Sequence, residues 1–491
     1  MTGFKKGAFF SVTFGLVSKV FSFGSSLLLA FLFGSSIKAD LYFYLLLLAT
    51  LLNAWFYGIN LHLVVPEFIH KYQQNKKQAI DFANFFIGIY VICTVILVCL
   101  TALFPAQILG IISDFNKQEI SQGFLLLVLA SLHFSLFFLA NFLTNLCESF
   151  QLFKIYFLSP LMTLLPLIFL FFTRNIEAMF TGYICCEAIQ IAVYFYLLKT
   201  RANWHLSFKK PIFTKKFKKD FWAMQPNNFV SMLLGYLPLW LISGMQAGLI
   251  SALNYARMIS DTPNDSLSFK INNVAKIKLN QEAALQNDEA VKETLLKTDR
   301  FLSFLLIPLC AFTSIFAKDI VQMLFMRGHF NIKDVENTAF FLQFLILTSP
   351  IIALNANFLS FLSAKQLVKE TTLKYAAIAI SFIFIFVFSI KILGPFSYPI
   401  ITLLFYTSNL LCNVYLAKKF ALHSSYGKHF CYISLLLLSS IFLAFIIKIL
   451  GLYQGNIFIK IFVNGITFVS LQLLLFYKIG FLKNIREDLN V

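Results

Sequence analysis

Charge is scarce in this chain. Of its 491 residues only 13% are Asp, Glu, Lys or Arg, about half the share of a soluble domain, while 59% are hydrophobic. So little charge, with a mean hydropathy of +0.78, excludes a water-soluble globular protein and places the chain within a membrane. The eight cysteines nowhere show the CxxC spacing of a zinc or redox site. Cys185 and Cys186 are neighbours, an awkward arrangement for a disulfide or a tetrahedral site. All eight read as packing residues, and no metal is expected. There is no GxxxxGK[ST] phosphate loop, no HExxH and no GxSxG, and the loops on the outer side are short. An ATP-driven or enzymatic reading has nothing to rest on, so no catalytic residue and no cofactor is expected. Tryptophan appears 4 times against 61 phenylalanines, a bias that points to no site.

What charge there is carries a sign, +18 at neutral pH. The lysines sit in short loops between apolar runs, where they face anionic lipid; no nucleic-acid partner is expected. The first apolar run follows Lys5 and Lys6 and lacks a small-residue cleavage site, so it reads as a retained helix. Cutting the chain where polar clusters interrupt runs of about 20 apolar residues yields about 14 spans. The seventh to tenth fall near 225–246, 248–272, 301–326 and 337–363, and the eleventh and twelfth near 371–391 and 394–416. Basic residues crowd every second loop, as at Lys71, Lys76 and Lys77, then Lys199 to Lys219, then Lys418, Lys419 and Lys428. That bias places both termini in the cytoplasm.

The segment from Trp204 to Trp222 spaces Trp204, Phe208, Phe213, Phe217 and Phe221 at near-helical intervals, with Lys209, Lys210, Lys215, Lys216, Lys218 and Lys219 between them. It reads as an interfacial amphipathic helix linking two halves. A short repeat supports two halves: ANFLTNLCESFQLFK from Ala140 and ANFLSFLSAKQLVK from Ala356 share ANFL, QL and a final Lys. Six spans is an even number, so the second copy starts on the same side as the first. The expected fold is an all-α membrane protein with two pseudo-symmetric six-helix lobes and two further C-terminal helices. Its parts are a first lobe over 1–199, a cytoplasmic amphipathic linker over 200–224, a second lobe over 225–420, and the last two spans over 421–491.

Ionisable residues at bilayer depth cost about 2.5–3.5 kcal/mol each on insertion scales, so those present need partners or water. Arg257, Asp261 and Asp265 recur every four residues and are expected on one helical face, lining a wet cavity or satisfying one another as an ion-pair ladder, with Lys270 just beyond. Lys19 lies within the first span; a cation there would attract a pyrophosphate. His133 and Glu187 read as interior polar groups satisfied within the fold. Pro226 and Asn227 open the seventh span, and Pro350 and Asn357 interrupt the tenth; these are candidate hinges, or kinks of structural origin.

Three stretches carry a resemblance. FGSSIKADLYFYLLLLATLLNAWFYGINLHLVVPEFIHKY from Phe33, with Asp40, Gly58 and Pro66 in register, YARMISDTP from Tyr255, and RGHFNIKDVENTAFF from Arg327 together resemble the MurJ/MviN family of lipid II flippases. That family lies within the multidrug/oligosaccharidyl-lipid/polysaccharide exporter superfamily. The resemblance implies two lobes around a cationic cavity and a polyprenyl groove beside the last two helices. It puts Lys19 where the family has its first Arg, and Ser25 and Ser26 where it has an Arg-Asp pair. Leu52 and Asn53 replace the paired Arg of the second helix, and Arg257 stands one position before the family's Arg, where Met258 lies.

The expected function is therefore movement of undecaprenyl-pyrophosphate-linked peptidoglycan precursor from the cytoplasmic to the periplasmic leaflet of the bacterial inner membrane by alternating access. The expected substrate contacts are Lys19, Ser25, Ser26, Asn53, Arg257, Asp261 and Asp265. A coupling cation or proton and the membrane potential would drive the cycle; membrane lipids and cell-wall synthesis proteins are the other expected partners. The alternatives are an O-antigen or capsule-type flippase, which the missing arginines favour, a cation-coupled drug exporter, and a non-transporting scaffold in cell-wall synthesis.

Overall fold

In a computed structural model the chain is described over residues 3–207, 209, 211, 213–420, 426–451, 453 and 455–478. These residues form helices and connecting turns, with no strand among them. In chain order the helices are α1 (Gly3–Phe33), α2 (Ile37–Ile59), α3 (Val65–Gln74), α4 (Lys76–Leu103), α5 (Pro105–Ile112), α6 (Lys117–Gln122), α7 (Phe124–Ser149), α8 (Leu161–Thr173), α9 (Glu177–Ala202) and α10 (Lys215–Ser243). They continue as α11 (Leu249–Pro263), α12 (Phe269–Ala284), α13 (Asp288–Ile315), α14 (Ala317–Phe325), α15 (Ile332–Ala364), α16 (Val368–Leu393), α17 (Ser397–Phe420), α18 (Tyr426–Leu450) and α19 (Ile457–Lys478).

Ten helical stretches are long and apolar enough to cross a bilayer, or eleven if α13 and α14, bent by 78° at their junction, form one span. The expected spans 371–391 and 394–416 fall within one such stretch, Lys369–Lys419, where a short 3-10 turn at Gly394–Phe396 joins α16 to α17. The expected seventh span lies in α10, whose apolar run is diluted by Gln225, Pro226, Asn227 and Asn228. The eighth begins in α11, only 15 residues long.

The chain divides into two compact units, one comprising the residues up to Ser251 with Arg327–Phe330, the other the remainder. In the first, α7 packs against α2, α4 and α9, α8 against α1 and α9, and α10 against α2. In the second, α15 packs against α13 and α17, and α18 against α13. Polar caps set where helices begin: Asn75 Oδ1 accepts from the Lys77 and Gln78 amides ahead of α4, and Asn331 and Asp334 form a capping box at α15. Gly328, in RGHF, adopts φ +59°, and a Cβ there would meet the Phe31 carbonyl at 2.3 Å. That position requires glycine twice over.

The repeated ANFL…QL sequence makes the same turn twice. Gln151 and Gln366 both adopt left-handed backbone, φ 56° and 62°. Leu152 N–H bonds the Cys147 carbonyl at 3.0 Å, and Leu367 N–H bonds the Leu362 carbonyl at 2.9 Å. Each is the six-to-one bond that closes a helix in a Schellman turn. The repeat is thus structural in both halves.

The segment 204–222 departs from the expected single amphipathic helix. α9 ends with Asn203 in left-handed conformation, the described residues between 203 and 214 are not helical, and α10 starts only after the Thr214 cap. Phe208 and Lys210 lie outside the described residues. The aromatic face does not lie on an interface: Trp204 is buried and its Nε1 donates to Asn84 Oδ1 at 2.9 Å. Phe213 packs on Phe82, Phe85 and Phe86. Asn84, buried in α4, also donates to the His205 carbonyl at 2.8 Å. A buried amide must be satisfied, and the extended segment supplies both partners.

Packing in the first unit is close where α8 crosses α9. A Cβ on Gly182 would stand 2.5 Å from Pro166 Cα and 2.7 Å from its N, both backbone atoms. Gly182→Leu is expected to lower stability by about 1–3 kcal/mol or more, because neither atom can turn aside. Thermal unfolding of the detergent-purified protein measures this, and an unchanged midpoint would show that the crossing yields.

Candidate functional site

Arg257 is half-buried on α11. Its guanidinium donates to the Tyr398 hydroxyl of α17 and lies 5.3 Å from the centre of that ring. A phenol orients the cation without neutralising it. Asp261, one turn on and exposed, attracts the guanidinium electrostatically and shares a 3.4 Å contact with Ser260 Oγ.

Asp265 lies beyond α11, which gives way after Pro263 to a π-helical turn, Asn264–Ser268, closed by Phe269 N–H bonding the Asn264 carbonyl. A π turn, rather than the expected unbroken α-helix, thus carries the third member of the series.

A matching turn interrupts the first unit. Asn60–Val64 is π-helical between α2 and α3, closed by Val65 N–H on the Asn60 carbonyl, with Pro66 next. Both turns begin at a buried Asn; Pro263 directly precedes Asn264, and Pro66 follows the first turn after Val65. Asn60 accepts from the Tyr90 hydroxyl at 2.7 Å, while its amide nitrogen and the Asn264 side-chain oxygen have no partner among the described residues. Such turns gather at functional positions. Sequence reading missed them; the signal available was an Asn close to a Pro in two otherwise apolar spans.

The other expected contacts belong to the first unit. Lys19 is exposed on α1. Ser25 is buried and its hydroxyl donates to the Phe21 carbonyl at 3.0 Å, as Ser26 does to the Ser22 carbonyl at 3.2 Å. Both hydroxyl protons are spent within their own helix. Asn53 on α2 is 4% exposed, and neither its side-chain nitrogen nor its oxygen has a partner among the described residues.

Asp40, which sequence reading left as a motif match, has a structural role in the first unit. It sits in the first turn of α2, 2% exposed. Its carboxylate accepts from the Gly248 amide at 2.5 Å and from the Ser251 amide and hydroxyl at 2.7 and 2.5 Å. The acid thereby caps the start of α11 from another helix, where orphan amides and the helix dipole favour negative charge. A lone acid entering an apolar span was the available clue.

Among the hinge candidates, Pro226 and Asn227 lie inside α10, and Pro350 and Asn357 inside α15, where the helix runs on through them. Asn357 Nδ2 donates to Asp299 Oδ1 at 2.6 Å and to the Leu295 carbonyl at 3.2 Å, tying α15 to α13. In the second unit a cavity of about 400 Å³, lined by Ile315, Phe344, Leu347, Phe445, Lys448 and Ile449, opens beside α18.

The family model "Lipid II flippase MurJ" matches residues 29–471. The chain is 23% identical over 340 residues to the probable lipid II flippase MurJ of Borreliella burgdorferi, covering 67% of each. Its structure superposes on a lipid II flippase MurJ in an inward closed conformation with a TM-score of 0.76, at 19% identity, over 95% of this chain and 99% of that one. An inward-facing multidrug transporter of the MATE family matches at a TM-score of 0.56 and 12% identity, over 85% of this chain and all of that one. The shared fold extends to that wider superfamily, but the family model, which spans most of the sequence, is specific. This multi-pass, all-helical membrane protein belongs to the MurJ family of lipid II flippases.

Proposed function

We propose that the protein carries lipid II, the undecaprenyl-pyrophosphate-linked peptidoglycan precursor, from the cytoplasmic to the periplasmic leaflet of the bacterial inner membrane. Its two units alternate access, and both termini face the cytoplasm. Arg257 carries this reading: it is a half-buried cation on α11, oriented by the Tyr398 ring and hydroxyl, which leaves its charge available to a phosphate. Lys19 supplies a second cation as a point charge without the fork of an arginine. Asp261 and Asp265 tune the site or take up a coupling cation. The π turns beside Pro66 and Pro263, with Pro226, Asn227, Pro350 and Asn357, are where bending between states is expected.

The mostly apolar cavity beside α18 supports a groove for the polyprenyl tail, with Ser314, Gln343 and Lys448, whose ammonium donates to the Ile315 carbonyl at 2.6 Å, at its wall. The membrane potential supplies the drive, worth about 2.3 kcal/mol per charge per 100 mV. Cell-wall synthesis proteins are the expected neighbours in the membrane. In proteoliposomes, the active protein is expected to raise the rate at which labelled lipid II becomes accessible in the opposite leaflet. No change over protein-free vesicles would refute the reading, and rescue of cells depleted of their lipid II flippase separates it from an O-antigen-type activity.

A further inference from the structure

Deep in the first unit, His133 of α7 and Glu187 of α9 face each other, Nδ1 to Oε1 at 2.7 Å, with side chains 6% and 0% exposed. They lie nine and ten residues into helices that each span 26, near mid-bilayer depth at about 1.5 Å per residue. The surroundings are aromatic: Tyr183 and Phe137 stack on the imidazole at 4.8 and 5.8 Å, and Phe180 leans on it at 5.7 Å. Glu187 Oε2 is buried and has no hydrogen-bond partner among the described residues.

A fully ionised carboxylate with one oxygen unsatisfied in an apolar shell is costly. An imidazole and a carboxyl that together hold one titratable proton are neutral as a pair, and that is the form the surroundings favour. Loss of the proton would leave a buried anion with one oxygen bare. Uptake of a second would leave a buried imidazolium beside a neutral acid.

Among the described residues no other charge nearby fixes the state of the pair. α8 carries no ionisable side chain. On α2, Tyr42 pairs with Tyr183, and Asp40 is committed to the start of α11. On α4, Tyr90 is bonded to Asn60; Cys93 and Cys99 are exposed, and Asp81 is bonded by Ser207. On α9, Cys185 and Cys186 are the other titratable neighbours. Nor does the architecture require an ion pair here. The register that lays ANFL of Ala140 on ANFL of Ala356 lays His133 on Ser349, so the second half builds the corresponding helix with a hydroxyl.

We propose that His133 and Glu187 form a proton-binding site within the first unit, holding one proton when closed to water and exchanging it with water when the unit opens. The step is an acid–base exchange: the proton leaves the pair for a water molecule, or returns from one, with no other bond made or broken. A proton held more tightly in one conformation than in another biases the two reciprocally. That this bias reaches lipid transport rests on the flippase reading; proton binding itself does not.

Infrared difference spectroscopy of the full-length protein in lipid nanodiscs, titrated over about pH 5 to 9, tests the site. A protonated-carboxyl band is expected to titrate in the wild type and to be absent from Glu187→Gln, which keeps the volume and a hydrogen bond to His133. In His133→Gln the midpoint is expected to move by about one pH unit or more. Should Glu187→Gln fail to fold, Glu187→Asp serves, with a shifted band. A spectrum in which no titrating band depends on Glu187, or a midpoint indifferent to His133, would overturn the proposal. A wild type that titrates as expected yet moves no lipid II would instead overturn the transport reading.

Discussion

Arg257→Glu is expected to reduce lipid II transport by about 100-fold or more while the purified protein keeps its helical circular dichroism and elutes as the wild type does. The reversal does two things at once. It removes a charge-assisted donor to phosphate and places a second acid one turn from Asp261, so the site would repel a pyrophosphate. The new carboxylate retains a hydrogen-bond donor in Tyr398, and the helix is not left with a bare buried group. Arg257→Lys keeps charge but loses the planar fork, and an intermediate rate is expected. Tyr398→Phe removes the hydroxyl and keeps the ring, so its loss should be the smallest of the three. Wild-type transport by Arg257→Glu in proteoliposomes would dismiss Arg257 as a substrate contact.

Asp40→Ala is expected to cost about 2–4 kcal/mol of stability, because the Gly248 amide and both donors of Ser251 lose their acceptor in a dry position. Asp40→Asn keeps one oxygen and should lose less; Ser251→Ala, which removes one hydroxyl donor, less again, at about 1 kcal/mol. Thermal unfolding midpoints of the three variants in one detergent would order them Ala, Asn, then the Ser251 change. Equal midpoints for Asp40→Ala and the wild type would mean that water satisfies the helix start as well as the acid does.

Much of the fold was legible because a bilayer imposes a simple rule. Backbone groups in hydrocarbon must bond within their own segment, so apolar runs become helices with little regard to detail. Sequence reading was weakest where the segment itself decides nothing. The amphipathic pattern over 204–222 suits a membrane surface, yet buried Asn84 offered Trp204 and the His205 carbonyl better partners. The Arg257, Asp261, Asp265 series assumed an unbroken α-helix, whereas Asp265 falls in a π turn that follows a proline. Asp40 was visible as a motif residue, but its partners lie more than two hundred positions away, a distance no local pattern spans.

By itself the sequence determined the membrane class, the all-helical architecture, the internal repeat and the family. Each follows from local composition or short motifs that act on their own stretch of chain. Only the tertiary structure decided that Asp40 caps a distant helix, that Tyr398 holds Arg257, that two π turns break the spans beside their prolines, and that His133 meets Glu187. These are pairings of polar groups inside an apolar body, where each donor must find an acceptor wherever the fold happens to bring one.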